Sequence, residues 1–293
     1  VLTIAIFGKA FFADMQEPLQ LLMDRLGTMG TRLYVYKPFY FEIKDRVSFP
    51  HDPVLFSAHA DIARGIDFLF SVGGDGTLLD TITLVRDSGI PVLGINLGRL
   101  GFLSGISRDR IMQALDSIGG GRYRLDQRTL IRLETSAGLF GDLNYALNEV
   151  TIHKKLPLSL ITLETVIDDK YLLTYRGDGL IVATPTGSTA YSLSSGGPII
   201  VPDSENFVIT PIAPHNLTVR PVVISDKSII RIKAVGRSKE FFVSLDSRTL
   251  EVDASVGLTI KKESFVIRLV QMEDENFFQT IRNKLMWGAD ARN

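Results

Sequence analysis

The residue pattern changes character at a run of three glycines, residues 119–121. Before it, short apolar runs alternate with segments of helical periodicity. Residues 3–7, 33–36, 68–72 and 91–95 read as strands, and the spacing predicts helices over 14–29, 77–88 and 107–118. In the first helix Leu19, Leu22, Met23 and Leu26 fall on one face, and Ser107 is placed to cap the last. Residues 37–60, with Pro38, Pro50 and Pro53, read as an irregular connection. Alternation of this kind predicts a parallel, doubly wound α/β sheet. After the glycines the runs are short, β-branched or aromatic, and separated by turn residues such as Asp168-Asp169 and Ser225-Asp226. That predicts an all-β domain, sandwich-like, over residues 122–274. A helix over 275–288, with Phe277, Phe278, Ile281, Leu285 and Met286 on one face, is expected to pack back on the α/β domain, residues 1–121.

A chain of 293 residues suffices for two such domains. It has no cysteine, which excludes disulfides, thiolate catalysis and Cys-ligated zinc or iron–sulfur clusters. The four histidines, His51, His59, His153 and His215, are far apart, and no pair has zinc-protease spacing. Thirty-two Lys and Arg against 33 Asp and Glu leave a net charge of −1, so bulk charge draws neither nucleic acid nor membrane. A local basic pocket for phosphate stays possible. No apolar run approaches the ~20 residues that span a bilayer. Residues 1–7 lack the charged region of a signal peptide and read as the first strand. The expectation is a cytoplasmic protein.

Five segments could carry chemistry. At Val72-Gly73-Gly74-Asp75-Gly76-Thr77 a strand ends, three glycines bracket a carboxylate and a helix begins. Glycines admit close approach of a ligand, and free N–H groups at a helix start hold phosphate. The same residues also suit a plain turn with Asp75 or Thr77 as helix cap. Neither a Walker loop nor a Gly-x-Gly-x-x-Gly fingerprint after a strand occurs, so another phosphate device is needed. In Asn96–Phe102, Arg99 could meet phosphate and Phe102 a base; a tight βα loop with a core Phe is the bland alternative. Asn148-Glu149 interrupts an apolar strand. Adjacent strand residues face opposite ways, so both reach one ligand only at a bulge or a strand end. The tract from Tyr175-Arg176-Gly177-Asp178 to Thr186, Thr189, Ala190, Tyr191, Ser192 and Ser194 is dense in small polar groups inside an apolar domain, and packing alone explains that poorly. Residues 211–221 form a proline-shaped loop with His215.

Together these segments resemble the NAD kinase family. Gly73–Thr77 matches its Gly-Gly-Asp-Gly-Thr motif, Asn148-Glu149 its Asn-Glu pair, and 177–191 with Gly196-Gly197-Pro198 its long glycine- and threonine-rich motif. The resemblance implies a Rossmann-like α/β N-terminal domain, a β-sandwich-like C-terminal domain and a site between them. It implies transfer of the ATP γ-phosphoryl group, with Mg²⁺ or another divalent cation, to the adenosine ribose 2′-hydroxyl of NAD. By resemblance Asp75 is the general base. Gly73, Gly74, Gly76, Thr77 and Arg99 would face the phosphates. Asn148 and Glu149 would hold ribose hydroxyls and diphosphate-side groups, and Asp178, with Arg176 nearby, the nicotinamide half. Thr186, Thr189, Ala190 and Tyr191, with Ser192 and Ser194 following, would line the adenine and ribose pocket, and Phe102 would pack on adenine. Ala213 would reach the pocket of a neighbouring subunit in a homodimer or homotetramer.

The match has departures. Asp80 stands where some members carry a basic residue, Leu97 where others have a polar one, and Asp246-Ser247-Arg248 varies from a more usual Asp-Gly-Gln type of ending, so Arg248 is a weak candidate. His215 is a weak candidate too, because a loop histidine is more often a hydrogen-bonded structural residue than a catalyst. No metal ligands can be named from the sequence. Gly-Gly-Asp-Gly alone is shared with lipid kinases of the diacylglycerol and sphingosine type, and a non-catalytic NAD(P)-binding regulator on the same fold is a third reading.

Overall fold

The computed structural model describes residues 1–98, 101–103, 105–157, 159–236 and 238–287. The chain divides into two compact units, Val1–Gln127 with Ile267–Asn293, and Arg128–Val266.

The first unit opens with β1 (Thr3–Gly8), α1 (Gln16–Thr28), β2 (Arg32–Tyr36), α2 (Lys37–Ile43), β3 (Val54–Phe56), α3 (His59–Ile62) and β4 (Phe68–Val72). It continues through α4 (Asp75–Val85), β5 (Val92–Asn96), β6 (Ile106–Ser107) and α5 (Ile111–Gly119) to the start of β7 (Tyr123–Thr135). Strands β5, β4, β1, β2 and β3 lie side by side in that order, all parallel. A parallel sheet is covered on both faces, and every residue of β4 and β5 is buried accordingly. Helix α1 buries Leu19, Leu22, Met23 and Leu26, and α5 buries Ile111, Ala114, Leu115 and Ile118, each one apolar stripe at helical spacing.

Residues 37–60 are more ordered than their prolines suggest. Pro38 falls in the first turn of α2, where a missing N–H costs nothing, and β3 adds a parallel strand beside β2. The division between units falls inside β7, because that strand starts just past the triple glycine and continues beyond Gln127.

The second unit holds β8 (Tyr145–Ala146), β9 (Glu149–Lys154), β10 (Ile161–Ile167), β11 (Lys170–Gly177), β12 (Gly179–Ala183), the single turn α6 (Tyr191–Ser194) and β13 (Asn206–Ile212). It continues with β14 (Val222–Ser225), β15 (Ile230–Ala234), β16 (Glu240–Leu245), β17 (Arg248–Asp253) and the first part of β18 (Leu258–Met272). One antiparallel sheet runs β14-β13-β12-β9-β16-β17, and β11-β10-β15-β18 are antiparallel neighbours in another. Both contribute to one core, including Val150, Ile152, Leu180, Phe207 and Phe241 from the first and Ile161, Leu163, Ile230, Ile232 and Ile260 from the second. That is the sandwich arrangement. Asp168 and Asp169 take φ of +48° and +64° in the β10–β11 hairpin, as a two-residue primed turn requires.

The chain re-enters the first unit along β18, whose Leu269 pairs with Val92 of β5, and ends in α7 (Phe277–Leu285). Asn276 caps α7 through a 2.9 Å bond from the Gln279 N–H. Of the apolar face expected there, Ile281 is buried, while Phe278 and Met286 are exposed. Met286 already has the left-handed φ of +55° that stops the helix.

Candidate active site

In the first unit the site is built where β4 stops. The Gly73 N–H still bonds the Ile95 carbonyl of β5 at 2.9 Å, so the sheet ladder runs to its edge. Gly73 then takes φ +149°, and a side chain there would strike the Thr77 hydroxyl. Gly74 is the residue before α4, and its carbonyl accepts from Thr77 and Leu78 at 3.0 and 3.2 Å. Asp75 is therefore the first residue of the helix, at the end toward which the N–H groups of α4 point.

The Asp75 carboxylate is held by residues between β5 and β6. Its Oδ2 accepts from the Phe102 N–H at 2.7 Å and its Oδ1 from the Leu103 N–H at 3.1 Å. Phe102 thus reaches Asp75 by its backbone, with its ring half-buried. Arg99 lies outside the described residues. Asp80, further along α4, carries its own cation: the Lys9 ammonium just past β1 pairs with it. Since Gly8 registers with Val72, Lys9 sits beside the start of the glycine turn. Lys284 of α7 lies within electrostatic reach of Asp75. Burial pushes the pKa of its ammonium down, and the charge of Asp75 opposes that.

In the second unit, β9 begins at Glu149, so Asn148 lies at the strand end, where the pair escapes the alternation of a regular strand. Both are 8% exposed. The Asp246 carboxylate accepts N–H groups from Leu147, Asn148 and Glu149 at 2.8, 2.8 and 3.2 Å. Burial, and then the charge of Asp246, push the Glu149 carboxyl up to about 8. Burial raises Asp246 too, opposed by the three N–H donors and by Arg248.

The tract at 177–194 folds tightly against this pair. Thr184 donates its N–H to the Asn148 carbonyl at 2.9 Å and its hydroxyl to the Leu147 carbonyl at 2.5 Å. Thr186 is buried and its hydroxyl accepts from Arg128 at 3.3 Å, while Thr189 is half-buried and Tyr191 is 41% exposed. The Ser192 hydroxyl is used inside the fold, 2.8 Å from that of Thr210, and Ser194 and Ala190 lie on the outer side, exposed and half-buried. Asp178 pairs with Lys154 at 2.6 Å. Arg176 and His215 are exposed, joined by a 2.8 Å bond from the His215 N–H to the Arg176 carbonyl. Ala213 is exposed with a left-handed φ of +42°. Arg248 is turned to the protein itself, donating to the Leu143 and Tyr145 carbonyls.

Family models described as the ATP-NAD kinase N-terminal domain and the ATP-NAD kinase C-terminal domain match residues 20–123 and 147–271. An NAD kinase of Cytophaga hutchinsonii is 42% identical over 290 residues, 99% of each chain. The chain belongs to the ATP-NAD kinase family. An NAD kinase of Bacteroides fragilis is 39% identical, over 98% of this chain and 99% of its own. Among solved structures, yeast NADH kinase complexed with NADH superposes with a TM-score of 0.87 at 26% identity, covering 99% of this chain and 89% of the other. An Archaeoglobus fulgidus NAD kinase in complex with ATP shares the fold, with a TM-score of 0.73 at 24% identity over 97% and 99% of the two chains.

In this ATP-NAD kinase chain several groups at these two clusters have no local sequence signal. Lys154, Arg128 and Lys284 stand in ordinary strand and helix contexts, and only the fold brings them to Asp178, Thr186 and Asp75. Asp246 is the exception. It occupies the tight turn between β16 and β17 with φ +52°, and an acidic residue in such a turn marks a backbone-binding carboxylate.

Proposed function

We propose that the protein transfers the γ-phosphoryl group of ATP to the adenosine ribose 2′-hydroxyl of NAD, giving NADP and ADP. The observation that carries this reading is the Asp75 carboxylate at the first position of α4, on a turn kept open by Gly73, Gly74 and Gly76. Phosphoryl transfer is mostly positioning and charge neutralisation. In support, the Gly74, Gly76 and Thr77 amides stand at a helix start, where the macrodipole favours anions. Asp75, whose carboxylate is oriented by the Phe102 and Leu103 amides, takes the hydroxyl proton as the oxygen attacks the γ-phosphorus and ADP leaves. Lys9 and Lys284 supply positive charge on the same unit.

Asn148 and the orphaned Glu149 Oε2 bind ribose or diphosphate-side oxygens. Asp178 takes the nicotinamide half, and Thr186, Thr189, Ala190 and Tyr191 line the adenosine. Among the described residues no group of three metal-ligating side chains occurs. Asp75 is the carboxylate at hand that would hold a magnesium ion, a hard cation that takes oxygen ligands. The ion would neutralise phosphate charge. We further propose a cytoplasmic homodimer or homotetramer in which Ala213 extends toward a neighbouring copy.

The test is Asp75→Asn. The reading expects loss of NADP formation by a protein that still folds and still binds NAD. Turnover near wild type would remove Asp75 from the chemistry.

A further inference from the structure

We infer that Asp246 is the positioning residue of the Asn148–Glu149 pair: it fixes the bend that turns both side chains toward one ligand and so sets dinucleotide affinity without touching the dinucleotide. The inference rests on the reading above that this pair binds NAD.

Its basis is a convergence of three consecutive amides. In a regular strand successive N–H groups point to opposite sides. Those of Leu147, Asn148 and Glu149 all reach the one carboxylate of Asp246, at 2.8, 2.8 and 3.2 Å. The chain is therefore curled around Asp246, and the ladder of β9 starts only at Glu149. The Asp246 N–H closes the loop by donating to the Glu149 carbonyl at 3.2 Å. On the other side, the Leu147 and Asn148 carbonyls are held by Thr184. Gly187 lies so close to the Asn148 backbone that a side chain on it would collide there. The bend is clamped from both sides, by a carboxylate on its N–H groups and by a threonine on its carbonyls.

The product of this clamp is a buried carboxyl group with one oxygen left without a partner. Glu149 is 8% exposed, and its Oε2 has no hydrogen-bond partner. A buried orphan of this kind is costly unless a ligand completes it. The charged groups around it are otherwise engaged. Asp246 is spent on the three amides, and Arg248, whose charge acts on Asp246, donates to the Leu143 and Tyr145 carbonyls. Asp246 also adds to the burial that favours the protonated form of Glu149. A neutral carboxyl group donates as well as accepts, which suits oxygens of a ribose or a diphosphate.

The experiment is a kinetic cycle on the full-length protein with NAD, ATP and Mg²⁺, using Asp246→Asn, Asp246→Glu, Glu149→Ala and the corresponding double variants. The Asn variant removes the charge, and the Glu variant keeps the charge but displaces the oxygens. Each single variant is expected to raise the KM for NAD about tenfold or more, the scale of one charged hydrogen bond, with kcat within about twofold. In the Glu149→Ala background the Asp246 substitutions are expected to raise the KM for NAD by clearly less than they do alone, because only the part that acts through Asn148 remains.

If Glu149→Ala leaves the KM for NAD unchanged, the binding role of Glu149 itself fails. If it raises KM but the Asp246 variants do not, or if the effects simply add, the positioning role of Asp246 is overturned. Failure of both Asp246 variants to fold would make it a folding residue alone and would equally overturn the inference.

Discussion

A methyl group on Gly101 would fall on the carboxylate of Asp75. The glycine is thus the space that lets residues 101–103 lie against the start of α4, so that the Phe102 and Leu103 amides reach the two carboxylate oxygens. Gly101→Ala is expected to push Asp75 out of register and lower kcat about a hundredfold, the usual scale for a misplacement near 1 Å. Its effect on the melting temperature should be small, since Gly101 is half-buried and outside the core. Steady-state kinetics beside a thermal melt check this. A Gly101→Ala enzyme with wild-type kcat would mean the loop contact is incidental.

Gly187 plays the same part in the second unit, against the backbone of Asn148. An added side-chain carbon would stand 2.7 Å from the Asn148 Cα and closer still to its carbonyl. Backbone cannot yield as a side-chain tip can. Gly187→Ala is expected to lower the melting temperature by several degrees and to raise the KM for NAD together. Unchanged values for both would contradict the clamp around Asn148.

How far the sequence foretells these contacts depends on their range. The glycine turn at 73–76 is legible because its signal is local: a mostly apolar strand, glycines, an acid and a helical pattern follow one another in the chain. The sandwich is legible from its many short strands. The elements between 37 and 62 are not, because α3 has four residues, β3 has three, and prolines flank them. The exposure of Phe278 is hidden for another reason: periodicity shows which residues share a face, not how far a neighbour extends to cover it. The Asp246–Asn148 bond spans 98 residues and Arg128–Thr186 spans 58, and no local pattern records such pairings.

The pH dependence of stability follows from Glu149. Its carboxyl is raised from an ordinary value near 4.5 to about 8 by burial and by Asp246. The folded protein then binds more protons than the unfolded chain between those values, so stability falls as pH rises through that window. The contribution is complete below about pH 4.5 and gone above about pH 8. Glu149→Gln, which cannot ionise, is expected to flatten the decline in melting temperature between pH 5 and pH 8 relative to wild type. Parallel slopes for the two proteins would show that Glu149 titrates normally.

The ion pair of Lys154 with Asp178 offers a separate check. Lys154 is only 13% exposed along its side chain and Asp178 33%. Lys154→Met keeps most of the buried stem and removes the charge. It is expected to destabilise the protein by about 1 kcal/mol in urea unfolding, a loss that largely disappears in an Asp178→Asn background. An equal loss in both backgrounds would mean the pair is not coupled.

The most direct measurement of the central claim is product formation. Purified protein is incubated with NAD, ATP and Mg²⁺, and the product is read with a dehydrogenase that accepts NADP and not NAD. The account predicts NADP accumulating with an equal amount of ADP, abolished by Asp75→Asn. Tight NAD binding with no NADP, under conditions where the fold is intact, would contradict it.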